Sequence, residues 1–339
     1  MGHAVAVSNV EEASTVDVCG GSTQVATDPV FDRLPGRPVI LTPRRWNDAE
    51  GVSAADPLTV QRFLPTKGRR MVGAWCFVDF FGPADISATE GMQVPPHPHC
   101  GLQTVSWLLA GEVLHRDSLG STQPVAPGQL NLMTAGRGIA HAENSWARRS
   151  PTLHGAQLWV ALPDADRNQP PSFEHHCDLP IWQDGGVTAT VMLGTLDGVS
   201  SPATVFSPIV GADLDLIASA NVTMPLRPDS EHAVLVMDGV AMIDGQEMSS
   251  GDMAYLGCGR DGLSVAAPLE KARVLLIGGQ PFAEEIVMWW NFVARSHEEI
   301  ADAREAWMAG NRFGVVDYDG DPLPAPPIPP LRLKPRGRE

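Results

Sequence analysis

Basic residues are scarce in this chain of 339 amino acids. Lysine and arginine together number 24 against 40 aspartates and glutamates, which gives a formal net charge of −16. A surface of this sign repels phosphate groups, so direct binding to nucleic acid has little support. The basic residues near the C-terminus, Arg332, Lys334, Arg336 and Arg338, are expected to form a solvated end. Any macromolecular partner is therefore predicted to be a protein.

The chain also lacks a cysteine framework and long apolar runs. Its five cysteines are widely spaced and include no CxxC pair, which is typical of reduced thiols in a cytosolic protein. No apolar run reaches the roughly 18 residues that a membrane helix requires. The N-terminus shows no positive segment followed by a long apolar one, so no secretory signal is evident. We therefore expect a cytoplasmic protein that does not enter a membrane.

Glycine and proline, by contrast, are abundant, with 33 and 30 residues. This composition favours many short strands joined by turns over long helices. Residues 71–163 contain segments rich in β-branched and aromatic side chains, with glycine or proline-glycine turns between them. Segments of this length with turn signals between them predict an all-β sandwich or barrel.

A weaker second copy of this pattern follows downstream. One segment that ends at Val113 and another that ends at Gly245 each contain an apolar strand, a glycine turn and a second strand. Residues 126–133 and 249–256 then each lead from a glycine-centred turn into an apolar strand. The order is kept while the spacing varies, which indicates duplication of one unit and not a solenoid with a short fixed period.

These patterns predict two tandem units followed by a short helix. Residues 163–180 are rich in proline and polar residues, and we interpret them as the linker. Ser296 and Glu299 form a capping box for a helix that stops at Gly310. The predicted organisation is a flexible N-terminal arm (1–36), a first barrel (37–165), a second barrel that ends in the helix (166–310) and a proline-rich tail (311–339).

Two pairs of possible metal ligands lie in the first unit. His97 and His99 are two residues apart, and so are His141 and Glu143, which places each pair on one face of an extended strand. A barrel that joins both strands would place three nitrogens and one carboxylate oxygen around one ion. An isolated HxH is more often a structural or surface feature. The second pair, beside another glycine-rich turn, makes one metal site the better interpretation.

Three segments resemble the pirin family of the cupin superfamily. They are PPHPHCGLQTVSWLLAGEVLHRDSLGS, PGQLNLMTAGRGIAHAE and, near the end, GGQPFAEEIVMWWNFVARSHEEI. The resemblance implies an all-β bicupin, with two tandem double-stranded β-helix barrels and a short C-terminal helix. It also implies that His97, His99, His141 and Glu143 hold one divalent transition metal in the first barrel. Iron(II) is the first choice, with nickel, copper, manganese, cobalt or zinc as alternatives.

The resemblance implies an oxidoreductase of the quercetin 2,3-dioxygenase type, with a flavonol and O2 as substrates. Glu143 would accept the proton of the flavonol 3-hydroxyl, whose pKa the metal lowers. Two alternatives stay open. One is a metal-binding regulatory protein that modulates a transcription factor or a metabolic enzyme through protein contact. The other is a cupin isomerase or small-molecule binder without O2 chemistry, because one fold hosts many functions.

The second unit is not expected to hold a metal. Its candidates, Glu231 and His232, are adjacent and so point to opposite faces of a strand. The position that matches His141 falls near Ser264, with no histidine in reach. In the first unit, Gln103 stands where pirins often have a glutamate, so a contact that supports the metal ligands is expected to differ.

Other histidines are interpreted as structural. His115 and His154 lie on predicted strands and are expected in the core or on the surface, although His154 is also a candidate to support the metal ligands. His175 and His176 lie in the linker, where we expect them to be solvated. Cys100 follows His99 and is expected to point away from the metal as a core thiol.

Several large apolar residues have two possible positions. Trp107, Trp159 and Met133 either line the barrel or pack in its core, and the sequence does not separate the two. Trp289 and Trp290 precede the predicted helix and are expected to anchor it to the body of the protein.

Overall fold

The structure is a computed structural model that describes residues 32–34, 37–41, 58–146 and 150–339. The strands of the first half are β1 (Asp32–Leu34), β2 (Arg37–Leu41), β3 (Leu58–Leu64), β4 (Trp75–Asp85), β5 (Gln93–His99), β6 (Leu102–Ala110), β7 (Val113–Asp117), β8 (Thr122–Val125), β9 (Leu130–Thr134), β10 (Ile139–Ser145), β11 (Thr152–Ala161) and β12 (Ser172–His176). The strands of the second half are β13 (Ile181–Asp184), β14 (Val187–Leu196), β15 (Val199–Ser200), β16 (Ile209–Leu216), β17 (Ala220–Pro225), β18 (Glu231–Asp238), β19 (Val240–Ile243), β20 (Gln246–Ser249), β21 (Met253–Gly257), β22 (Gly262–Ala267), β23 (Ala272–Gly279), β24 (Val287–Trp289) and β25 (Phe292–Ala294). Helix α1 (His297–Met308) follows them.

Each half forms one barrel from a larger and a smaller antiparallel sheet. In the first barrel the larger sheet has the strand order β12-β9-β6-β11-β4-β3-β2, and the smaller sheet has the order β5-β10-β7-β8. In the second barrel the corresponding orders are β1-β21-β18-β23-β16-β14-β13 and β17-β22-β19-β20. The two orders match strand by strand, so the predicted all-β bicupin class is confirmed.

The larger sheets of the two barrels pack against each other. Trp75 and Trp107 from the first barrel share one buried cluster with Leu235 and Ile277 from the second. The indole Nε1–H of Trp107 donates to Asp213 Oδ2 across this interface at 2.6 Å. Strand β6 is therefore buried on both faces over most of its length.

Two strands do not belong to the part of the molecule that the sequence predicts for them. Strand β12 falls within the segment interpreted as the linker, and it pairs with β9 of the first barrel. Strand β1 falls within the range expected to be a flexible arm, and it pairs with β21 of the second barrel. These two pairings are equivalent in the duplicated fold. The remainder of the expected arm, residues 1–31 and 35–36, lies outside the described residues.

The interior of the second barrel is apolar where the first barrel carries histidines. Strands β17 and β22 correspond to β5 and β10, and they pair Val222 with Val265 and Met224 with Leu263. All four side chains are buried in one apolar cluster. Within the part of the chain that the structure describes, no cluster of possible metal ligands lies in this barrel.

The C-terminal segment covers the back of the first barrel. Cys100 on one side of the smaller sheet and Ala140 on strand β10 pack in a cluster with Phe292, Ile300 of α1 and Phe313 of the tail. The backbone N–H of Ala140 donates to the carbonyl of Phe313 at 3.0 Å. Helix α1 begins as expected, because the Ser296 side chain accepts a hydrogen bond from the N–H of Glu299. Among the described residues, no helix has the length and apolar character needed to span a bilayer.

Three of the four basic residues in the tail, Arg332, Lys334 and Arg336, are exposed as expected, but the end of the tail is also bound to the body of the protein. Arg336 exchanges two backbone hydrogen bonds with Ile286, and the Arg338 guanidinium donates to Glu231 Oε1 at 2.9 Å. Glu231 is buried and also accepts from the Tyr255 hydroxyl and from the N–H of Gly73. This carboxylate therefore connects the two barrels and the tail.

We expect Glu231→Ala to lower the free energy of unfolding by about 3 kcal/mol, because it leaves buried donors without an acceptor. Denaturant unfolding followed by fluorescence measures this value. The matched variant Arg338→Ala removes the partly exposed partner only and should lower it by about 1 kcal/mol or less. Equal stability of Glu231→Ala and the parent protein would contradict the structural role of this carboxylate.

Candidate metal centre

The smaller sheet of the first barrel brings the chemically active side chains together. Strand β10 lies between β5 and β7, so its residues have neighbours on both sides. His141 is opposite His97 on β5 and opposite Asp117 on β7. Glu143 is opposite His115 on β7. Since side chains alternate along a strand, these residues all project from the same face of the sheet, into the barrel.

Three imidazoles form a compact cluster. The ring centroids of His97 and His99 are 5.0 Å apart, those of His97 and His141 are 4.4 Å apart, and those of His99 and His141 are 4.9 Å apart. Each residue offers one nitrogen that lies within 4.8 Å of the other two. All three side chains are buried. The structure thus places three of the four residues predicted from the sequence around one point.

The backbone orients two of these rings. The Nδ1–H of His97 donates to the carbonyl of Pro95 at 2.9 Å. The Nδ1–H of His99 donates to the carbonyl of Asn291, in the turn between β24 and β25, at 3.2 Å. Because a carbonyl oxygen only accepts, Nδ1 carries the proton in both rings, and Nε2 keeps a free lone pair. The Nε2 atom of His141 is buried and has no hydrogen-bond partner among the described residues.

Burial keeps these histidines neutral. It lowers the pKa of His97 to about 4. Burial, followed by the neighbouring imidazoles, also holds the pKa values of His99 and His141 well below the usual range of histidine. A neutral imidazole is the form that binds a metal, so no proton has to leave before an ion enters near neutral pH.

The fourth predicted residue, Glu143, lies beside the cluster. Its carboxylate groups with His141 and His115 within 4.8 Å, and not with His97 and His99. The Ser106 hydroxyl donates to Glu143 Oε1 at 3.1 Å. Burial raises the pKa of Glu143 above the usual value for glutamate. The side chain is therefore a better proton acceptor than an exposed glutamate.

His115 also lies beside this cluster, whereas the sequence predicted only a core or surface histidine. It is buried, and its Nδ1 lies 3.3 Å from Nδ1 of His141. Its Nε2 lies 3.2 Å from Oδ2 of Asp117, and its ring stacks on Phe173 with centroids 4.4 Å apart. The signal in the sequence was the spacing of His115 and Asp117, which are two residues apart and so share a face of β7.

A cavity of about 460 Å³ opens from the imidazole cluster. Its walls include the stacked pair Phe77 and Trp159, whose centroids are 4.0 Å apart, together with Trp290. The Arg62 guanidinium lies over the Phe77 ring and donates two hydrogen bonds of 2.7 Å to the carboxylate of Asp79. The cavity is thus aromatic near the histidines, and the Arg62–Asp79 ion pair provides polar groups in its wall.

Of the two tryptophans and the methionine that had two interpretations, one lines the cavity and two pack in the core. Trp159 lines the cavity, whereas Trp107 packs between the barrels and Met133 packs with Ile139. Trp289 and Trp290 pack against the cluster that contains Ile300 of α1, as expected, and Trp290 also lines the cavity. Its φ of 53° lies in the left-handed region, which is unusual for a bulky residue and is imposed by the tight turn between β24 and β25.

The remaining polar residues do not belong to the cluster. The ring of His154 contacts Phe80, and burial lowers its pKa. His175 and His176 lie on the paired strand β12 and are partly exposed, so they are less solvated than expected. Cys100 is a buried thiol, as expected. Gln103 donates to the Thr134 hydroxyl and to the carbonyl of Thr204, so it joins the barrels and does not contact the histidines.

The comparisons with known proteins agree with this architecture. A family model described as Pirin matches residues 58–160, and one described as Pirin C-terminal cupin domain matches residues 211–314. A protein of Pseudomonas aeruginosa, provisionally named quercetin 2,3-dioxygenase, is 49% identical over 80% of this chain and 86% of its own length. A pirin-like protein of Caulobacter vibrioides is 36% identical over 79% of this chain and 94% of its own length.

A solved structure is similar as well. The crystal structure titled quercetin 2,3-dioxygenase from Acinetobacter baumannii superposes with a TM-score of 0.82 at 40% identity. The match covers 89% of this chain and 97% of that protein. The similarity therefore includes both barrels and the order in which their strands follow one another.

Proposed function

This chain belongs to the pirin family, and from that membership we propose that it is a metal-dependent dioxygenase of the quercetin 2,3-dioxygenase type. The observation that carries the proposal is the cluster of three buried, neutral imidazoles at the end of an aromatic cavity. The names of the relatives from P. aeruginosa and A. baumannii support the same activity. A small flat aromatic compound, such as a flavonol, and O2 are the proposed substrates.

The residues present fit a divalent transition metal. The Nε2 atom of His141 has no hydrogen-bond partner, and the Nε2 atoms of His97 and His99 carry free lone pairs. Buried lone pairs are costly unless something binds to them, and a metal ion would do so. We propose His97, His99, His141 and Glu143 as the ligand set, with iron(II) first and nickel, copper, manganese, cobalt or zinc as alternatives. When bound, such an ion acts as a Lewis acid that lowers the pKa of a hydroxyl group next to it.

Glu143 is proposed as the proton acceptor. The pKa of Glu143 is raised and so lies closer to the pKa of the hydroxyl group that it deprotonates, which favours proton transfer. The Ser106 hydroxyl donates to Oε1 and so holds the carboxylate in one orientation. Glu143 lies two residues from His141 on β10, so its carboxylate shares a strand face with His141 and lies beside the imidazole cluster.

The cavity is proposed to bind the substrate. Its volume of about 460 Å³ lies within the range of about 300–1,000 Å³ that is typical of small-molecule sites. Phe77, Trp159 and Trp290 provide apolar surface for a flat ring system and exclude water from the reacting atoms. The Arg62–Asp79 pair offers both donors and an acceptor to phenolic hydroxyl groups.

We expect His97→Ala and His141→Ala each to remove most of the bound metal, because each variant deletes a nitrogen donor from the cluster. The cores of both barrels stay intact, so the far-ultraviolet circular dichroism should not change. Elemental analysis of protein purified after loading with iron(II) measures the metal. His154→Ala, which removes a buried histidine outside the cluster, is the control. A full metal complement in either ligand variant would contradict the proposed ligand set.

For the reaction itself, we expect the iron(II)-loaded protein to consume O2 in the presence of quercetin. Glu143→Gln should lower the turnover by about 100-fold, because general base catalysis contributes about 10²–10⁴-fold. An oxygen electrode measures the rate, with His97→Ala as the negative control. No O2 consumption by a protein shown to hold metal would remove the quercetin dioxygenase proposal and favour the regulatory role or another substrate.

A further inference from the structure

We propose that Asp117 and His115 form a hydrogen-bonded chain that fixes the tautomer of His141 and thereby directs its Nε2 lone pair into the imidazole cluster. Both are positioning residues that act through His141. The inference rests on the metal-ligand role of His141 proposed above. It assigns a function to two buried polar residues that the proposed reaction does not otherwise use.

The geometry of the chain follows from the pairing of two strands. Strands β7 and β10 place Asp117 opposite His141 and His115 opposite Glu143. The His115 ring therefore lies between the Asp117 carboxylate, 3.2 Å from Nε2, and the His141 ring, 3.3 Å from Nδ1. Asp117, His115 and His141 are each at most 2% exposed, so water does not compete for these contacts.

The direction of the hydrogen bonds is set at the Asp117 end. Oδ1 of Asp117 accepts from the backbone N–H groups of Leu119 at 2.9 Å and Ser121 at 3.0 Å. The other oxygen, Oδ2, accepts from Nε2–H of His115. With one proton on each ring, Nδ1 of His115 is then an acceptor, and Nδ1–H of His141 must donate to it. The proton of His141 is held on Nδ1, and Nε2 is left free.

His141 differs in this respect from the other two histidines of the cluster. His97 and His99 are oriented by the backbone carbonyls of Pro95 and Asn291, which no side-chain substitution removes. His141 is oriented by a side chain, which is in turn held by Asp117 and by the stacked ring of Phe173. Because both nitrogens of His115 are engaged, we assign this residue to positioning and not to metal binding.

The most direct test is Asp117→Asn, which we expect to reverse the chain. The two N–H groups of Leu119 and Ser121 require the amide oxygen of the asparagine, so its NH2 group turns toward His115. Nε2 of His115 then accepts, its Nδ1–H donates to Nδ1 of His141, and the proton of His141 moves to Nε2. Exchange of a carboxylate for an amide produces the wrong histidine tautomer in the same way in serine proteases.

NMR of the metal-free protein with ¹⁵N-labelled histidine reports the tautomer of each ring. In the parent protein we expect His141 to be protonated on Nδ1, and in Asp117→Asn on Nε2. The signals of His97 and His99 serve as internal controls and should stay the same, because their partners are backbone carbonyls. An unchanged His141 tautomer in the variant, or a His115 ring that carries two protons in the parent protein, would overturn the proposal.

Metal affinity gives a second measurement. We expect His115→Leu to weaken Ni(II) binding by about 10- to 100-fold, as is typical when a group that orients a ligand is lost. His115→Asn keeps an acceptor near the position of Nδ1 and should recover part of the affinity. His154→Leu is the control and should bind Ni(II) as the parent protein does. Parent-like affinity of His115→Leu would contradict a positioning role.

These results separate the inference from the proposed function. If the parent protein binds Ni(II) and the iron-loaded form does not react with quercetin, the dioxygenase proposal fails and the hydrogen-bonded chain stands. If the parent protein binds neither Fe(II) nor Ni(II), the ligand role of His141 fails, and the positioning role fails with it. If His115→Leu does not fold, Asp117→Asn decides the inference, because it changes one oxygen to one nitrogen and keeps the shape of the side chain.

Discussion

The register in which β10 pairs with its two neighbours is the constraint on which the candidate metal centre depends. Pairing with β5 places His141 beside His97, and pairing with β7 places it beside Asp117. A shift of one residue would turn His141 and Glu143 to the outer face of the sheet and bring Ala140 and Ala142 inside. The opposite face fixes this register, because Ala140 and Ala142 pack with Phe292 and Phe313 in an apolar cluster. The C-terminal segment thus stabilises the site without contributing any of the three clustered imidazoles.

The second barrel shows what the same fold becomes without the histidine cluster. Strands β17 and β22 occupy the positions in the second barrel that β5 and β10 occupy in the first. Their inward side chains are apolar and fill the interior. An apolar interior packs at high density and needs no buried polar groups, whereas the smaller sheet of the first barrel buries four histidines, a glutamate and an aspartate. The packed second barrel and the shared cluster between the larger sheets provide the rigid support that a buried polar site requires.

Local patterns in the sequence predicted an all-β sandwich or barrel, its duplication and part of the site, and the resemblance to pirins specified the bicupin. The repeated strand and turn signals predicted the duplicated barrel, and Ser296 and Glu299 marked the start of α1 correctly. The spacing of His97 with His99 and of His141 with Glu143 predicted two strand faces, and the structure places these faces side by side. These features depend on residues that are close in the chain, so their signals are present in the sequence itself.

The features that the sequence did not reveal depend on distant contacts. Strand β12 has few apolar residues, and it forms because β9 offers an unpaired edge. The role of Arg338 depends on Glu231, which is more than one hundred residues away in the chain. His115 could not be linked to His141 without the register of β7 and β10. Trp290 reaches the cavity because of a left-handed turn, a conformation that the residue type does not favour.

The most direct test of this account is a crystal structure of the metal-loaded protein with data collected at the absorption edge of the metal. We expect one anomalous peak at about 2.0–2.2 Å from the Nε2 atoms of His97, His99 and His141, the usual distance between a divalent transition metal and an imidazole nitrogen. A peak bound elsewhere in the chain, or no peak in a crystal grown from fully loaded protein, would contradict the central claim that these three histidines hold a metal.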